Sequence, residues 1–116
     1  MVPGKLNLTV YKGSTYRYKI ELLQANKTPL DLTGCSVAMQ VRARPGLSEL
    51  FLDLTVAGYI SITNPVAGEI TLEIPADDSE AFDFVSGFYD VKVTFSNGDE
   101  FRVLEGAFAA LDQVTR

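Results

Sequence analysis

Apolar and polar residues alternate one by one through most of this chain, the period of an extended strand with one face buried. Leu6, Leu8 and Val10 alternate with Lys5, Asn7 and Thr9, and Tyr16, Tyr18, Ile20 and Leu22 with Arg17, Lys19 and Glu21. Cys35, Val37, Met39, Val41 and Ala43 alternate with Ser36, Gln40, Arg42 and Arg44. Leu50, Leu52, Leu54 and Val56 follow around Asp53 and Thr55, then Ile70, Leu72 and Ile74 alternate with Glu69, Thr71 and Glu73. Each run predicts a strand with one apolar and one wet face, as in antiparallel sheets packed on one side.

Turn residues punctuate the runs: Asn26-Lys27-Thr28-Pro29, Asp31-Leu32-Thr33-Gly34, Pro45-Gly46 and Asn64-Pro65-Val66-Ala67-Gly68. Proline presets φ and glycine supplies positive φ, so these are turns with a mechanism. Roughly seven to eight short strands at intervals of about 8–12 residues point to an all-β antiparallel sandwich or barrel, and a two-sheet sandwich is the fold taken forward. The whole chain, 1–116, reads as one domain. One stretch departs from the pattern. Ala76 to Phe84 carries helix formers, and Asp77 with Glu80 has capping-box spacing. A helical turn near residues 77–83 is expected to cross between the sheets, with Phe82 or Phe84 plugging the core.

Residues 87–110 form the clearest hairpin. Tyr89, Val91, Val93 and Phe95 share one phase, and Asn97-Gly98 is the preferred pair for a type I′ turn. On the return, Phe101 and Val103 share a phase, while Leu104, Gly106, Phe108 and Ala110 take the opposite one. A slip of one residue reverses faces, so a β-bulge near Val103–Glu105, or burial on both faces there, is expected.

Composition removes much chemistry. The absence of histidine takes away the commonest general base, the Ser-His-Asp triad and the usual zinc sites. Cys35 is the single cysteine, so no internal disulfide forms, and it reads as a small buried hydrophobe. Asp77, Asp78, Glu80 and Asp83 cluster without the alternating ligands and glycine of a calcium loop, and read as a solvated helix start. No catalytic residue, metal or cofactor is expected. Net charge is −5, which argues against a nucleic-acid backbone as partner. The charge is uneven: residues 1–58 carry a net +3 and residues 59–116 a net −8. Such a chain is suited to meeting a copy of itself, basic side to acidic side. There is no apolar signal-peptide core near the N-terminus and no bilayer-length apolar run. With its initial Met, the chain reads as a small reading frame made in a cytosol.

The candidate functional residues are therefore surface ones. Arg17, Lys19, Arg42 and Arg44 take the polar phase of their runs and make a basic stripe if those strands share a sheet. Glu69 and Glu73 form the matching acidic face, and the plainer reading of both is a solvated surface. Tyr11, Phe51, Tyr59 and Phe88 fall on outer phases or loops. Phe51 and Phe88 are the preferred candidates for a protein contact, with a carbohydrate-binding or adhesin-like surface as the alternative.

The order of motifs resembles small bacteriophage and prophage structural proteins. The residues concerned are Gly13-Ser14-Thr15-Tyr16, Pro29-Leu30-Asp31-Leu32-Thr33-Gly34 leading into Val37-Ala38-Met39-Gln40-Val41-Arg42, then Pro45-Gly46. They continue with Gly68 to Ala76, Gly87-Phe88-Tyr89-Asp90-Val91, Leu104-Glu105-Gly106 and the ending Val114-Thr115-Arg116. Several of these pieces are also similar to the N-terminal domain of phage baseplate upper proteins and to tail-fibre attachment modules. The resemblance spans roughly residues 12–116. It implies an immunoglobulin-like sandwich used without catalysis as a virion part of the tail region. Its implied partners are other virion proteins or copies of itself in a homo-oligomer, with no nucleic acid and no membrane. Tyr89-Asp90-Val91 sits where antibody domains carry Tyr-x-Cys, which implies a tyrosine corner at Tyr89. The chain lacks the coiled coil and receptor-binding tail of the baseplate proteins, which weakens any direct receptor role.

Overall fold

The alternating runs assemble into two face-to-face sheets in the computed structural model, which describes residues 4–44 and 49–112. In chain order the elements are β1 (Gly4–Lys5), β2 (Leu8–Tyr11), β3 (Tyr16–Glu21), β4 (Ser36–Arg42) and β5 (Leu50–Asp53). They continue with α1 (Leu54–Ala57), β6 (Ile60–Asn64), β7 (Glu69–Ile74), α2 (Ala76–Glu80), β8 (Ser86–Thr94) and β9 (Glu100–Leu111). One sheet has the order β1-β9-β8-β4-β5 with β2 also on β9, and the other is β3-β7-β6. This is the immunoglobulin-like sandwich arrangement. Its inner faces meet through Val10, Ile20, Leu32, Met39, Val41, Ile70, Leu72, Ile74, Val91, Val93 and Phe108, all buried. The expected turn at Pro45-Gly46 and the Val114-Thr115-Arg116 ending lie outside the described residues.

Four local expectations are corrected. First, the sheets are not wholly antiparallel: β1 and β2 run parallel to β9, Gly4 opposite Leu104 and Leu8 opposite Phe108. Second, the run Leu50–Val56 is not one strand. The Asp53 carboxylate accepts the N–H groups of Thr55 and Val56, both at 3.1 Å, and starts α1, which Gly58 ends at φ 78°. Leu54 stays buried while Val56 turns out to 84% exposure. Third, α2 has no capping box. Pro75 occupies the cap position without a side-chain hydrogen bond. Fourth, Cys35 is half-buried just ahead of β4 rather than fully enclosed. Burial raises its thiol, and the nearby Asp31 carboxylate adds to the effect.

The hairpin follows its phase arithmetic but not its expected turn. The Gly98 N–H bonds the Phe95 carbonyl at 2.9 Å, the Phe95 N–H bonds the Asp99 carbonyl at 2.8 Å, and Gly98 takes φ 92°. Asn97 does not share the positive φ that type I′ requires. Ser96, Asn97 and Gly98 therefore form a three-residue loop, with Asn97 Oδ1 accepting the Asp99 N–H at 3.0 Å. The bulge is present. Val91 pairs with Leu104 and Lys92 with Arg102, so Val103 is the extra residue and both Val103 and Leu104 are buried. Phe84 plugs the core end, stacked between Phe51 and Phe82 at centroid distances of 5.1 and 5.4 Å.

Tyr89 does not form the local tyrosine corner. Its hydroxyl donates at 2.6 Å to the carbonyl of Leu6, far away in sequence. Leu6 and Asn7 interrupt the edge between β1 and β2. The Leu6 N–H bonds the Glu105 carbonyl at 3.0 Å, and Asn7 Oδ1 accepts the Ala107 N–H at 3.0 Å. Gly106 leaves the space that the Leu6 carbonyl enters, since a methyl there would overlap that oxygen. Burial raises the Tyr89 hydroxyl well above its usual range, with Tyr16 and Tyr18 adding to the shift.

Candidate interaction surface

Alternation on β4, β8 and β9 sends every second side chain to the outer face of the larger sheet. The register there places Arg42 beside Phe88 and Phe88 beside Ala107, then Gln40 beside Asp90 and Asp90 beside Glu105. In the next row Ala38 stands beside Lys92 and Lys92 beside Arg102. The small side chains of Ala38 and Ala107, with Gly106, make a shallow floor, and longer side chains rise around it. The result is an open groove of about 620 Å³.

Electrostatics give the groove its character. Lys5, Arg42, Arg44, Lys92 and Arg102 line it against two carboxylates, Asp90 and Glu105. Half of the chain's ten basic side chains thus gather on one face of a molecule whose net charge is −5. Asp90 and Glu105 face each other directly, an unfavourable like-charge pair. Arg102 offsets it at 3.0 Å from Asp90 and Lys5 at 2.9 Å from Glu105. The hydrogen bond and charge from Lys5 hold the Glu105 carboxyl below its ordinary range. Arg42 is held by Gln40 at 2.9 Å, and Gln40 in turn donates to Asp53 at 3.0 Å. Burial alone would raise the Asp53 carboxyl. Hydrogen bonds from Gln40, Val56 and Thr55 outweigh it and hold the group below its ordinary value. Phe88, 48% exposed, supplies the groove's apolar contact.

The predicted residues divide in a way alternation did not anticipate. The basic stripe is split: Arg17 and Lys19 lie on β3 in the smaller sheet, Arg42 and Arg44 on or beside β4 in the larger. Arg17 is already paired with Glu73 of its own chain at 2.7 Å. Glu69 accepts the Thr63 hydroxyl at 2.7 Å. Phe51 is no free contact residue, because it is the bulged residue between Leu50 and Leu52 and packs on Phe84. Gly87 makes room for it, since an added Cβ would lie 3.2 Å from the Phe51 ring and 2.6 Å from the Arg42 carbonyl. Tyr59 is also tied down, packed on the core with its hydroxyl donating to Asp78 at 2.7 Å; burial and that bond push it up to about 12. Tyr11, at 51% exposure, and Phe88 remain open. Lys92 and Arg102 were missed as site residues because they come from the acidic half of the chain. Their outward phase was readable, but their sheet neighbours were not.

Among the described residues, no three His, Cys, Asp or Glu side chains converge as a metal site. No helix among them is long and apolar enough to cross a membrane.

No family model matches the chain, and no curated protein matches it. Solved structures do match. One matching chain comes from a structure titled "Structural basis of T cell specificity and activation by the bacterial superantigen toxic shock syndrome toxin-1". It superposes with a TM-score of 0.51 at 12% identity, covering 90% of this chain and 92% of that one. The shared feature is the fold. Such sandwiches carry many unrelated functions, so the likeness supports the architecture alone.

Proposed function

We propose that this chain is a non-enzymatic structural protein of a bacteriophage or prophage virion, a tail, baseplate or fibre-attachment component that works through protein–protein contacts. The observation that carries the contact reading is the groove: an exposed Phe88 among five cations on a rigid sheet face. An apolar anchor in a charged surround fits a protein partner with an acidic surface. The virion assignment rests on the order of sequence motifs. The proposed role involves no catalysis, a reading supported by the lack of histidine, the commonest general base. Of the four aromatics behind the glycan alternative, Phe51 and Tyr59 are committed to the core and to Asp78, which leaves only Tyr11 and Phe88 exposed and makes protein contact the better-supported reading.

The test is whether the protein co-purifies with phage particles from the host that encodes it. It should be retained at low salt, be released as ionic strength rises, and be lost with Phe88→Asp or Arg42→Glu. Its absence from particles while abundant and folded in the lysate overturns the virion assignment. Retention unaffected by both variants overturns the groove as the contact.

A further inference from the structure

The sandwich has four strand edges, and three of them are blunted. β1 and β2 are interrupted at Leu6–Asn7. β5 is four residues long and carries a register shift, and β6 carries another between Ile62 and Asn64. The fourth edge, β3, is six residues of unbroken register against β7, without proline, glycine or bulge. No described residue pairs with its far side. Natural sheets usually protect such an edge, because its unpaired N–H and C=O groups are a template for another strand. Here the only such device is charge, and Arg17, Lys19 and Glu21 are of both signs, so they can complement a second copy.

The hydrogen-bond phase says which groups are offered. Leu22 N–H bonds the Gly68 carbonyl at 2.8 Å, directly beyond the Ile20–Ile70 pair. Antiparallel pairing alternates sides residue by residue, so Tyr16, Tyr18 and Ile20 bond inward to β7. Arg17, Lys19 and Glu21 then aim their backbone groups at the open side. Tyr18 takes the core-facing phase opposite Leu72 yet remains 39% exposed, as expected where the sheet stops one strand short.

We infer that this edge pairs with the same edge of a second copy, antiparallel about a two-fold axis at Ile20, joining the two smaller sheets into one. Charge selects the occupant and the register. Glu21 stands directly opposite Glu69 across β3–β7, a like-charge pair that no ion pair among the described residues offsets. Centring the pair on Ile20 sets Lys19 of each copy opposite Glu21 of the other, twice by symmetry. It sets Tyr18 against Leu22 on the core side and leaves the Arg17–Glu73 ion pair in place. Centring on Lys19 would oppose two lysines, and the Arg17–Glu21 pairs it also creates would draw Arg17 away from Glu73; centring on Tyr18 would set Arg17 against Lys19. The interface is isologous, closes as a dimer and uses a surface separate from the groove.

Sedimentation across a concentration series, with amide exchange read residue by residue, tests it. The expected result is a reversible dimer whose Lys19 and Glu21 amides become protected as concentration rises. Lys19→Glu should weaken association on the order of tenfold, from two opposed pairs turning repulsive. Adding Glu21→Lys should restore it. Lys19→Pro removes an edge donor but no bond to β7, so it should abolish the dimer and leave the folded monomer's circular dichroism unchanged. A monomer at millimolar concentration overturns the inference. So does a dimer insensitive to Lys19→Pro, or one without protection at Lys19 and Glu21. Phe88→Asp should leave this dimer intact, so its failure and that of the groove reading are separable.

Discussion

Replacing Ser79 with alanine removes the one fully buried polar side chain among the described residues, and the structure sets the size of the effect. The Ser79 hydroxyl is 0% exposed. It accepts the Gly13 N–H at 3.1 Å and faces the carbonyls of Ser14 at 3.1 Å and Ala76 at 3.0 Å. It thereby pins α2 to the turn that carries the chain from β2 to β3, that is, from one sheet to the other. Alanine fits the space but leaves the Gly13 N–H without its acceptor. A buried polar group stripped of its partner costs about 1–3 kcal/mol, against about 1 kcal/mol for an ordinary net hydrogen bond. An unfolding entropy of about 2.1 cal/mol/K per residue gives roughly 4 °C per kcal/mol for this chain length, so Tm should fall by about 4–12 °C. Urea unfolding should show a lower midpoint with an unchanged slope. Thr63→Val is the control, because the Thr63 hydroxyl is exposed where it meets Glu69 and Thr71; it should cost under about 0.5 kcal/mol. A Ser79→Ala loss no larger than that of Thr63→Val would refute the reasoning.

Tyr89→Phe removes the donor to the Leu6 carbonyl and should cost about 1 kcal/mol, with faster amide exchange confined to the first edge strands. Gly106→Ala drives a methyl into that carbonyl, so limited proteolysis should cut near Leu6 long before the rest of the fold is attacked. Asp53→Ala removes the α1 cap and should cost about 1 kcal/mol at neutral pH. Because the folded Asp53 carboxyl sits below its ordinary 3.8, its contribution is present above that value and is lost as pH falls through the folded one. The stability gap between wild type and Asp53→Ala, followed by urea melts from pH 7 downward, should close below about pH 3.8; a constant gap would contradict the assignment.

Alternation made the sandwich legible because a core between two sheets imposes period two on every strand that faces it. The Val103 bulge was legible for the same reason, since a phase reversal within one strand has few structural remedies. α1 was missed because Leu50, Leu52, Leu54 and Val56 keep strand spacing. The available signal was the bracket of Asp53 and Gly58, a helix cap and a left-handed stop enclosing four residues. The hairpin loop was misread because Asn97-Gly98 fits two turn types, and only the third loop residue, Ser96, separates them. The basic stripe failed for a different reason: alternation assigns a face, not a sheet. Arg17 and Arg42 have identical local patterns, yet non-local pairing placed them in different sheets and brought Lys92 and Arg102 into the groove instead.

The parallel seam between the first strands and β9 has a mechanical consequence. Gly4 lies beside Leu104 and Tyr11 beside Leu111, so the two ends of the described chain leave the seam in opposite directions. Tension applied between them runs along the strands and loads their hydrogen bonds together, in shear. An antiparallel hairpin pulled from its open end peels one bond at a time under far less force. The Tyr89–Leu6 and Asn7–Ala107 bonds, which close the break in that seam, then act as shear pins. A domain with this seam resists stretching along the direction of its strands.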